Sequence, residues 1–222
     1  MAVAEQSGRR ITMSTASILK KALMAVTGLV WFGYVVVHLL GNLLLWAGPE
    51  QFNRYAKTLA SIPLLIPAEI FLVLTLLAHV CTAWRVTNEN NAARPQRYVI
   101  KVPSSGSSTL ASRTMWYGGM ILFIFIVIHV WTFKYGDHSG ALGLWGLVVR
   151  SFKNPWITLM YLVAMVALGF HLSHGIASAF QSLGALQPHW RPVMRTGGQL
   201  LGWVIAGGFM LLPLWALFFA EV

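Results

Sequence analysis

Four histidines, His38, His79, His129 and His171, each stand inside a long and otherwise apolar run of this sequence. An ionisable side chain within a bilayer rarely faces lipid and usually marks a functional site. Neutral imidazole nitrogen is a good ligand of haem iron. The pattern therefore predicts a set of helices that hold haem between them.

The composition places the chain among integral membrane proteins. Of its 222 residues, 57% are hydrophobic and only 10% are charged, whereas roughly 25% are charged in a soluble domain. Runs of about 20 apolar residues predict membrane-spanning helices. We expect one all-α membrane domain over residues 1–222, a bundle of five transmembrane helices that holds two haems between the first four. The spans are predicted at about 22–46, 64–84, 114–133, 156–181 and 200–219.

The net charge of +10 does not indicate nucleic-acid binding, because the basic residues are spread between the apolar runs. Positive loops instead orient a membrane protein. One side of the predicted bundle carries Arg9, Arg10, Lys20, Lys21, Arg85, Arg94, Arg97, Lys101, Arg113, Arg191 and Arg195. The other side carries Arg54, Lys57, Lys134, Arg150 and Lys153. This excess predicts a multi-pass protein with a cytoplasmic N-terminus and an external C-terminus.

Helix direction sorts the four histidines by depth. The first and third helices run outward, and His38 and His129 lie in their outer parts. The second and fourth run inward, and His79 and His171 lie toward their inner ends. Two histidines at one depth can hold a flat iron macrocycle between helices. We expect one haem between His38 and His129 and another between His79 and His171, which leaves iron no open position and favours electron transfer.

Residues near the ligands refine this expectation. Small residues give a ring clearance, and Gly41 and Gly175 follow His38 and His171 within one helical turn. His174 shares a helical face with His171. It could replace His171 as the ligand, bond a haem propionate or contact a quinone.

Other uses of the histidines are less consistent with the sequence. Each one alone could simply bond a neighbouring helix. A zinc site lacks a carboxylate or thiolate cluster, and covalent haem attachment lacks its C-x-x-C-H motif. The serious alternative is a haem-free proton-coupled transporter. A proton relay there would use carboxylates within the spans, and only Glu69 is available.

Several short motifs accompany the histidines along nearly the whole chain. They are Ser17-x-x-Lys20-Lys21, Thr27-Gly28-Leu29, His38-Leu39-x-Gly41-Asn42, Gly48-Pro49-Glu50-x-Phe52-Asn53-x-Tyr55-Ala56 and Phe170-His171-Leu172-x-His174-Gly175. In combination they resemble the cytochrome b subunit of class B succinate:quinone oxidoreductases, the dihaem b558-type membrane anchor of succinate dehydrogenases and fumarate reductases.

The resemblance implies the same ligand pairs, His38 with His129 and His79 with His171. It also implies two haems b, a quinone such as menaquinone as substrate, and a prokaryotic inner membrane. FAD and iron–sulfur clusters would belong to a flavoprotein subunit and an iron–sulfur subunit docked on the cytoplasmic face. Some fumarate-reducing members carry a glutamate where this chain has Gly169, which favours succinate oxidation here. Another dehydrogenase served by a dihaem anchor is the alternative.

Further residues are candidates for proton or propionate contacts. Glu69 begins the second span and is either a proton-transfer group for quinone or a helix-start acid; Glu50 is a weaker candidate. Four residues lie near the inner boundary, where propionates would point, namely Lys21, Arg85, Arg113 and Trp116. An orientation or interfacial role is the alternative for each of these four.

The segments between the spans are also informative. Residues 50–61 have helical spacing and predict a short helix on the membrane surface. Residues 86–109 form the longest polar connection. Residues 134–153 are expected to be a loop or surface segment. Glycines in the fifth span predict close helix packing.

Overall fold

The computed structural model describes residues 2–92 and 110–221, and side chains from residue 17 onward. Within these ranges the chain is helical and contains no strand. The helices are α1 Ala2–Asn42, α2 Pro49–Ala60, α3 Leu65–Ala92, α4 Leu110–Lys134, α5 Gly143–Phe152, α6 Pro155–Ser182 and α7 Arg191–Phe218, with short 3-10 helices at Leu43–Ala47 and Pro188–Trp190.

Five of the described helical segments are long and apolar enough to cross a membrane. They are Ser17–Ala47, Leu65–Ala92, Leu110–Lys134, Pro155–Ser182 and Pro188–Phe218. The prediction of an all-α chain with five helices able to cross a membrane is thereby confirmed, and the placement of haem between them stays a prediction. The predicted 86–109 connection begins as the last turns of α3, and its part from residue 93, with Arg94, Arg97 and Lys101, lies outside the described residues.

The bundle is organised around α6, the most buried of the five long helices. α7 and α4 both pack along α6, and α1 packs on α3 and α6, whereas α3 and α4 scarcely meet. The histidines of α1 and α3 therefore face those of α4 and α6 across the bundle. A cofactor site between helices needs side chains that face each other in this way.

Glycines let α7 approach α6 closely. A Cβ at Gly202 would lie 2.8 Å from the backbone nitrogen of Ser173, and one at Gly198 would lie 3.4 Å from Ile176 Cβ. Both positions fit the close packing expected for this helix. Gly207 differs, because among the described residues no atom lies within 4 Å of its would-be Cβ.

One end of the bundle is closed by α2, the first 3-10 helix and α5. The Asn53 amide donates to the Leu142 carbonyl (2.9 Å) and accepts from the Trp145 backbone N–H (3.0 Å), which fixes α2 against the start of α5. The Trp145 indole donates to the Leu45 carbonyl (2.9 Å). The expected helix over residues 50–61 is present as α2.

The prediction of a loop or surface segment for residues 134–153 was wrong in its second half. Residues 143–152 form α5, whose Trp145 and Val149 are 6% and 0% exposed and belong to the main hydrophobic cluster. The helix is short, so hydropathy did not mark it as a span. Its burial depends on contacts with α2, α6 and α7 that are distant in sequence.

Candidate functional site

His38 on α1 and His129 on α4 form one pair, here called the outer pair. Their ring centroids lie 5.8 Å apart and their planes meet at 89°. Tyr34, one turn before His38, stacks on its ring at 5.3 Å. Tyr161 of α6 places its hydroxyl 3.0 Å from Nδ1 of His129. Four side chains from three helices thus meet at this level.

His79 on α3 and His171 on α6 form the inner pair, with ring centroids 6.2 Å apart and planes at 66°. Nδ1 of His79 lies 3.0 Å from the Met24 carbonyl oxygen and 3.3 Å from the Thr27 hydroxyl. A carbonyl can only accept a hydrogen bond. Nδ1 of His79 therefore carries the proton, and its Nε2 keeps a free lone pair.

The two pairs lie at different levels of the bundle. His79 contacts Thr27, which precedes His38 by eleven residues on α1; at 1.5 Å per residue the levels are about 16 Å apart. On the opposite side of the bundle, Tyr161 contacts His129 and precedes His171 by ten residues on α6. This spacing again places the two levels about 15 Å apart. Both sides of the bundle therefore give the same separation.

This geometry fits a planar macrocycle that supplies four ligands of its own. Two imidazole nitrogens that each bond one metal at about 2 Å place their ring centroids roughly 6 Å apart once the rings are included. The observed separations are 5.8 and 6.2 Å. Among the described residues no group of three or more His, Cys, Asp or Glu side chains converges as a metal site. Each pair thus has the spacing of two imidazoles that share one metal ion.

Two glycines leave room beside the rings of the inner pair, and neither was among the residues predicted to do so. A Cβ on Gly28 would lie 3.1 Å from His79 Cε1, and one on Gly119 would lie 3.6 Å from His171 Cε1. Gly41 instead receives the Tyr55 ring, whose hydroxyl would meet a Cβ at 2.6 Å. Around Gly175 no atom of the described residues comes within 4 Å of a Cβ. The interpretation of Gly41 as clearance was therefore wrong, whereas that of Gly175 stays a prediction.

One ring nitrogen of the inner pair is buried without a partner. Among the described residues, His171 Nδ1 and Trp31 Nε1 are the buried side-chain nitrogen or oxygen atoms that have no hydrogen bond. Such atoms usually indicate a missing partner or a functional role. His171 therefore differs from His79 and His129, whose Nδ1 atoms have close contacts.

His174 lies one turn beyond His171 and is half-buried. It stands within electrostatic reach of Arg195 at the start of α7. The ring that stacks across the bundle against His79 is that of His171. The structure thus brings His171, rather than His174, to the inner pair.

At the end of the bundle near the outer pair, Glu69 at the start of α3 forms an ion pair with Lys134 at the end of α4. Both side chains remain partly exposed. Tyr34 lies within electrostatic reach of the Glu69 carboxylate. Glu69 is therefore close to the side chains around His38, whereas Glu50 is exposed on α2.

The opposite end of the bundle carries the other predicted polar residues. Lys21, Arg85 and Arg113 are exposed there, and Trp116 is half-buried with its ring 5.2 Å from that of Trp84. A second ion pair links Lys20 of α1 to Glu89 of α3 and joins these two helices. This side of the bundle thus gathers several cations toward the ends of the candidate membrane spans.

Gly169 lies beneath the indole of Trp203. A Cβ at position 169 would come within 2.6 Å of this ring. Trp203 also packs edge-on against Phe170, with centroids 5.0 Å apart. The space in which a longer side chain would stand is therefore filled by α7.

Sequence reasoning missed three contacts of the site, those of Tyr161, Gly28 and Gly119. Tyr161 carried a signal, because a phenol in the middle of an apolar span needs a hydrogen-bond partner. Gly28 belongs to the Thr27-Gly28-Leu29 motif that carries the resemblance. The sequence did not show that Gly28 faces His79. Gly119 had no distinguishing signal beyond its neighbour Gly118.

The chain is 26% identical over 148 residues to the succinate dehydrogenase cytochrome b558 subunit of Bacillus subtilis (strain 168). The alignment covers 65% of this chain and 69% of that relative. No family model matches the chain, and no solved structure gives a significant match. This distant similarity supports the family that the histidine motifs indicate.

Proposed function

We propose that this protein is the dihaem cytochrome b anchor of a succinate dehydrogenase, which passes electrons between an iron–sulfur subunit and membrane quinone. The observation that carries the proposal is the arrangement of four span histidines as two facing pairs at two levels. The similarity to the cytochrome b558 subunit of Bacillus subtilis supports it independently.

His38 and His129 would hold the outer haem b, and His79 and His171 would hold the inner one. When bound, haem iron with two axial histidines exchanges single electrons between its ferrous and ferric states. The protein's task is to present Nε2 of each ring and to keep the rings fixed. The Met24 carbonyl does this for His79, because it holds the proton on Nδ1.

Burial around the ligands excludes water and small reactants. His38, His79, His129 and His171 are each partly enclosed by the bundle. Aromatic rings of Phe125 and Phe133 pack against His129 at 5.6 and 5.5 Å. Because both axial positions would be occupied by protein, the sites favour electron transfer over oxygen chemistry.

The cations at the other end of the bundle would pair with propionates of the inner haem. Lys21 lies near the start of the candidate span Ser17–Ala47, Arg85 follows His79 on α3, and Arg113 lies in the first turn of α4. Arg and Lys suit carboxylates by charge and hydrogen bonding. Trp116, which packs on Trp84, and His174 are further candidates for this propionate or quinone region.

The proposed function implies a quinone, such as menaquinone, as the substrate. Reduction of a quinone requires protons. Glu69 is the acid of the spans nearest the outer pair, and we assign it the proton transfer at quinone. Its ion pair with Lys134 holds the carboxylate at this end of the bundle. Tyr34 lies between Glu69 and His38, where it would line the same region.

The partners would be a flavoprotein subunit with FAD and an iron–sulfur subunit. They would dock on the cytoplasmic face of a prokaryotic inner membrane, where the excess of basic residues is predicted. This chain would carry no succinate site of its own. Gly169, packed beneath Trp203, leaves no room for the membrane glutamate of some fumarate reductases, which favours the succinate-oxidising direction.

An optical spectrum of the purified protein tests the proposal. We expect a dithionite-reduced minus oxidised spectrum of low-spin b type and two haems per chain. A folded, unstripped preparation without haem would reject the proposal. Such a colourless protein would instead support a proton-coupled transporter, and co-purification of a different dehydrogenase would reassign the partner alone.

A further inference from the structure

Tyr161 is the most enclosed polar side chain around the outer pair. It is 6% exposed and lies in the second turn of α6. Its ring packs edge-on against Phe125 and Phe152, both at 4.8 Å, and lies 6.0 Å from Phe133. The phenol is therefore held in one position by neighbours from two other helices, with its hydroxyl directed at His129.

The hydroxyl of Tyr161 lies 3.0 Å from Nδ1 of His129. Imidazoles that bind a metal nearly always donate the other ring N–H to an acceptor, which fixes the tautomer and the ring orientation. A phenolic oxygen can accept this bond. If Nδ1 of His129 donates to Tyr161, Nε2 keeps its lone pair for a ligand on the side of His38.

The described residues give the four histidines unequal support. Nδ1 of His79 faces a backbone carbonyl, which no substitution removes. The Asn42 amide lies 3.4 Å from both ring nitrogens of His38, so it does not distinguish them. Nδ1 of His171 has no hydrogen-bond partner. Tyr161 thus contacts Nδ1 of His129 at 3.0 Å through a side-chain hydroxyl from a different helix. Substitution by phenylalanine removes only this oxygen atom and so tests the contact.

We propose that Tyr161 is a positioning residue for His129: it accepts the Nδ1 proton, orients Nε2 toward His38 and lowers the reduction potential of the outer haem. This inference rests on the proposed function. An accepted hydrogen bond increases the electron density on the imidazole, which stabilises the ferric state over the ferrous state. The effect is strong because the site is buried and its effective dielectric is low.

The aromatic rings make the contact hard to replace. Phe125, Phe133 and Phe152 surround the phenol. Removal of the hydroxyl should therefore leave Nδ1 of His129 without an acceptor, as His171 Nδ1 already is.

The test is a redox titration of the haems in the purified complex with Tyr161→Phe, which removes only the hydroxyl. We expect the equilibrium constant for one-electron reduction of the outer haem to rise roughly tenfold, which corresponds to about 59 mV. The inner haem should keep its potential. Tyr117→Phe is the matched control, because Tyr117 is 71% exposed on α4 and should shift neither haem.

Electron paramagnetic resonance supplies a second readout. The planes of His38 and His129 are nearly perpendicular, which would make the ferric signal of a haem held between them strongly anisotropic. Loss of the hydroxyl should release the His129 ring and change the anisotropy of this signal alone. Phe152→Leu alters the packing on the Tyr161 ring but keeps the hydroxyl, so the outer potential should stay within the range of the wild type.

Each outcome decides a specific point. Unchanged potentials and signals in Tyr161→Phe with both haems bound would overturn the role of Tyr161. An equal shift in Phe152→Leu would also overturn it, because packing around Tyr161 alone would then explain the effect. Selective loss of the outer haem in Tyr161→Phe would support it. Absence of haem from the wild type would reject the proposed function instead.

Discussion

The imidazoles of His38 and His129 face each other across α1 and α4, 5.8 Å apart and almost perpendicular. These helices make few other contacts with each other, so direct helix packing does not account for the approach of the two rings. The same holds for His79 and His171, which join α3 to α6 at 6.2 Å. In each pair the rings are separated by the distance that a shared axial metal requires.

Single substitutions of the paired histidines should each remove one haem. We expect His79→Ala or His171→Ala to eliminate the inner haem and to retain the outer one, and His38→Ala or His129→Ala to do the reverse. The reason is that each metal would lose one of two axial bonds. Haem per chain, measured as the pyridine haemochrome, should fall from two to one.

His138→Ala is the control for this series, because His138 lies exposed in the loop before α5. It should retain both haems. His174→Ala should also retain both, since the ring opposite His79 is that of His171. Retention of both haems in His79→Ala or His171→Ala would refute the ligand assignment.

Glu69→Gln should impair quinone reduction without unfolding the bundle. Loss of a proton-transfer group reduces rates by roughly 10²-fold or more. The Glu69–Lys134 ion pair is partly exposed, so its coupling energy should stay below about 1 kcal/mol. Succinate:quinone activity should therefore fall, whereas electron transfer from succinate to a soluble dye, which bypasses the anchor, should persist.

Lys134→Gln is the matched variant, since it breaks the same ion pair and keeps the carboxylate. We expect it to retain most quinone activity, and a double-mutant cycle on thermal stability should show a small coupling. If Glu69→Gln kept full quinone activity, Glu69 would be a helix-start acid with an ion-pair role alone.

Gly169→Ala should destabilise the contact between α6 and α7. The added methyl would approach the Trp203 ring to 2.6 Å, and overpacking of this kind costs about 1–3 kcal/mol. The melting temperature in detergent should fall. Trp203→Leu combined with Gly169→Ala should recover part of the loss, because it removes the ring that the methyl meets.

Gly207→Ala is the control for this comparison. No atom of the described residues lies within 4 Å of a Cβ there, and alanine has the higher helix propensity. Its melting temperature should equal or exceed that of the wild type. Equal melting temperatures for Gly169→Ala and Gly207→Ala would contradict the close contact with Trp203.

The predicted orientation can be tested by thiol labelling. Cys81 is the single cysteine, so Cys81→Ser gives a background without thiols. In that background Ser139→Cys, in the exposed loop before α5, should react with a membrane-impermeant maleimide in intact cells or spheroplasts. Gln187→Cys, at the opposite end of the bundle, should react only after lysis. The reverse pattern would invert the topology.

Local sequence was sufficient to predict the five long apolar helices. A span of apolar residues must form a helix in lipid, because only internal hydrogen bonds satisfy its backbone there. Gly48-Pro49 marks the break before α2, where Gly48 takes a φ of 95° that glycine tolerates. The four histidines could be sorted into two levels because their depth follows from their position along each helix.

Tertiary structure decided which atoms meet. The orientation of Gly28 toward His79, the Tyr161 hydroxyl at His129 and the Trp203 ring over Gly169 depend on how each helix is rotated about its axis. In lipid this rotation is set by packing between helices and not by hydrophobic periodicity, since an all-round apolar helix has no preferred face. The burial of α5 has the same origin, because its partners Asn53 and Leu45 are about 90 to 100 residues away.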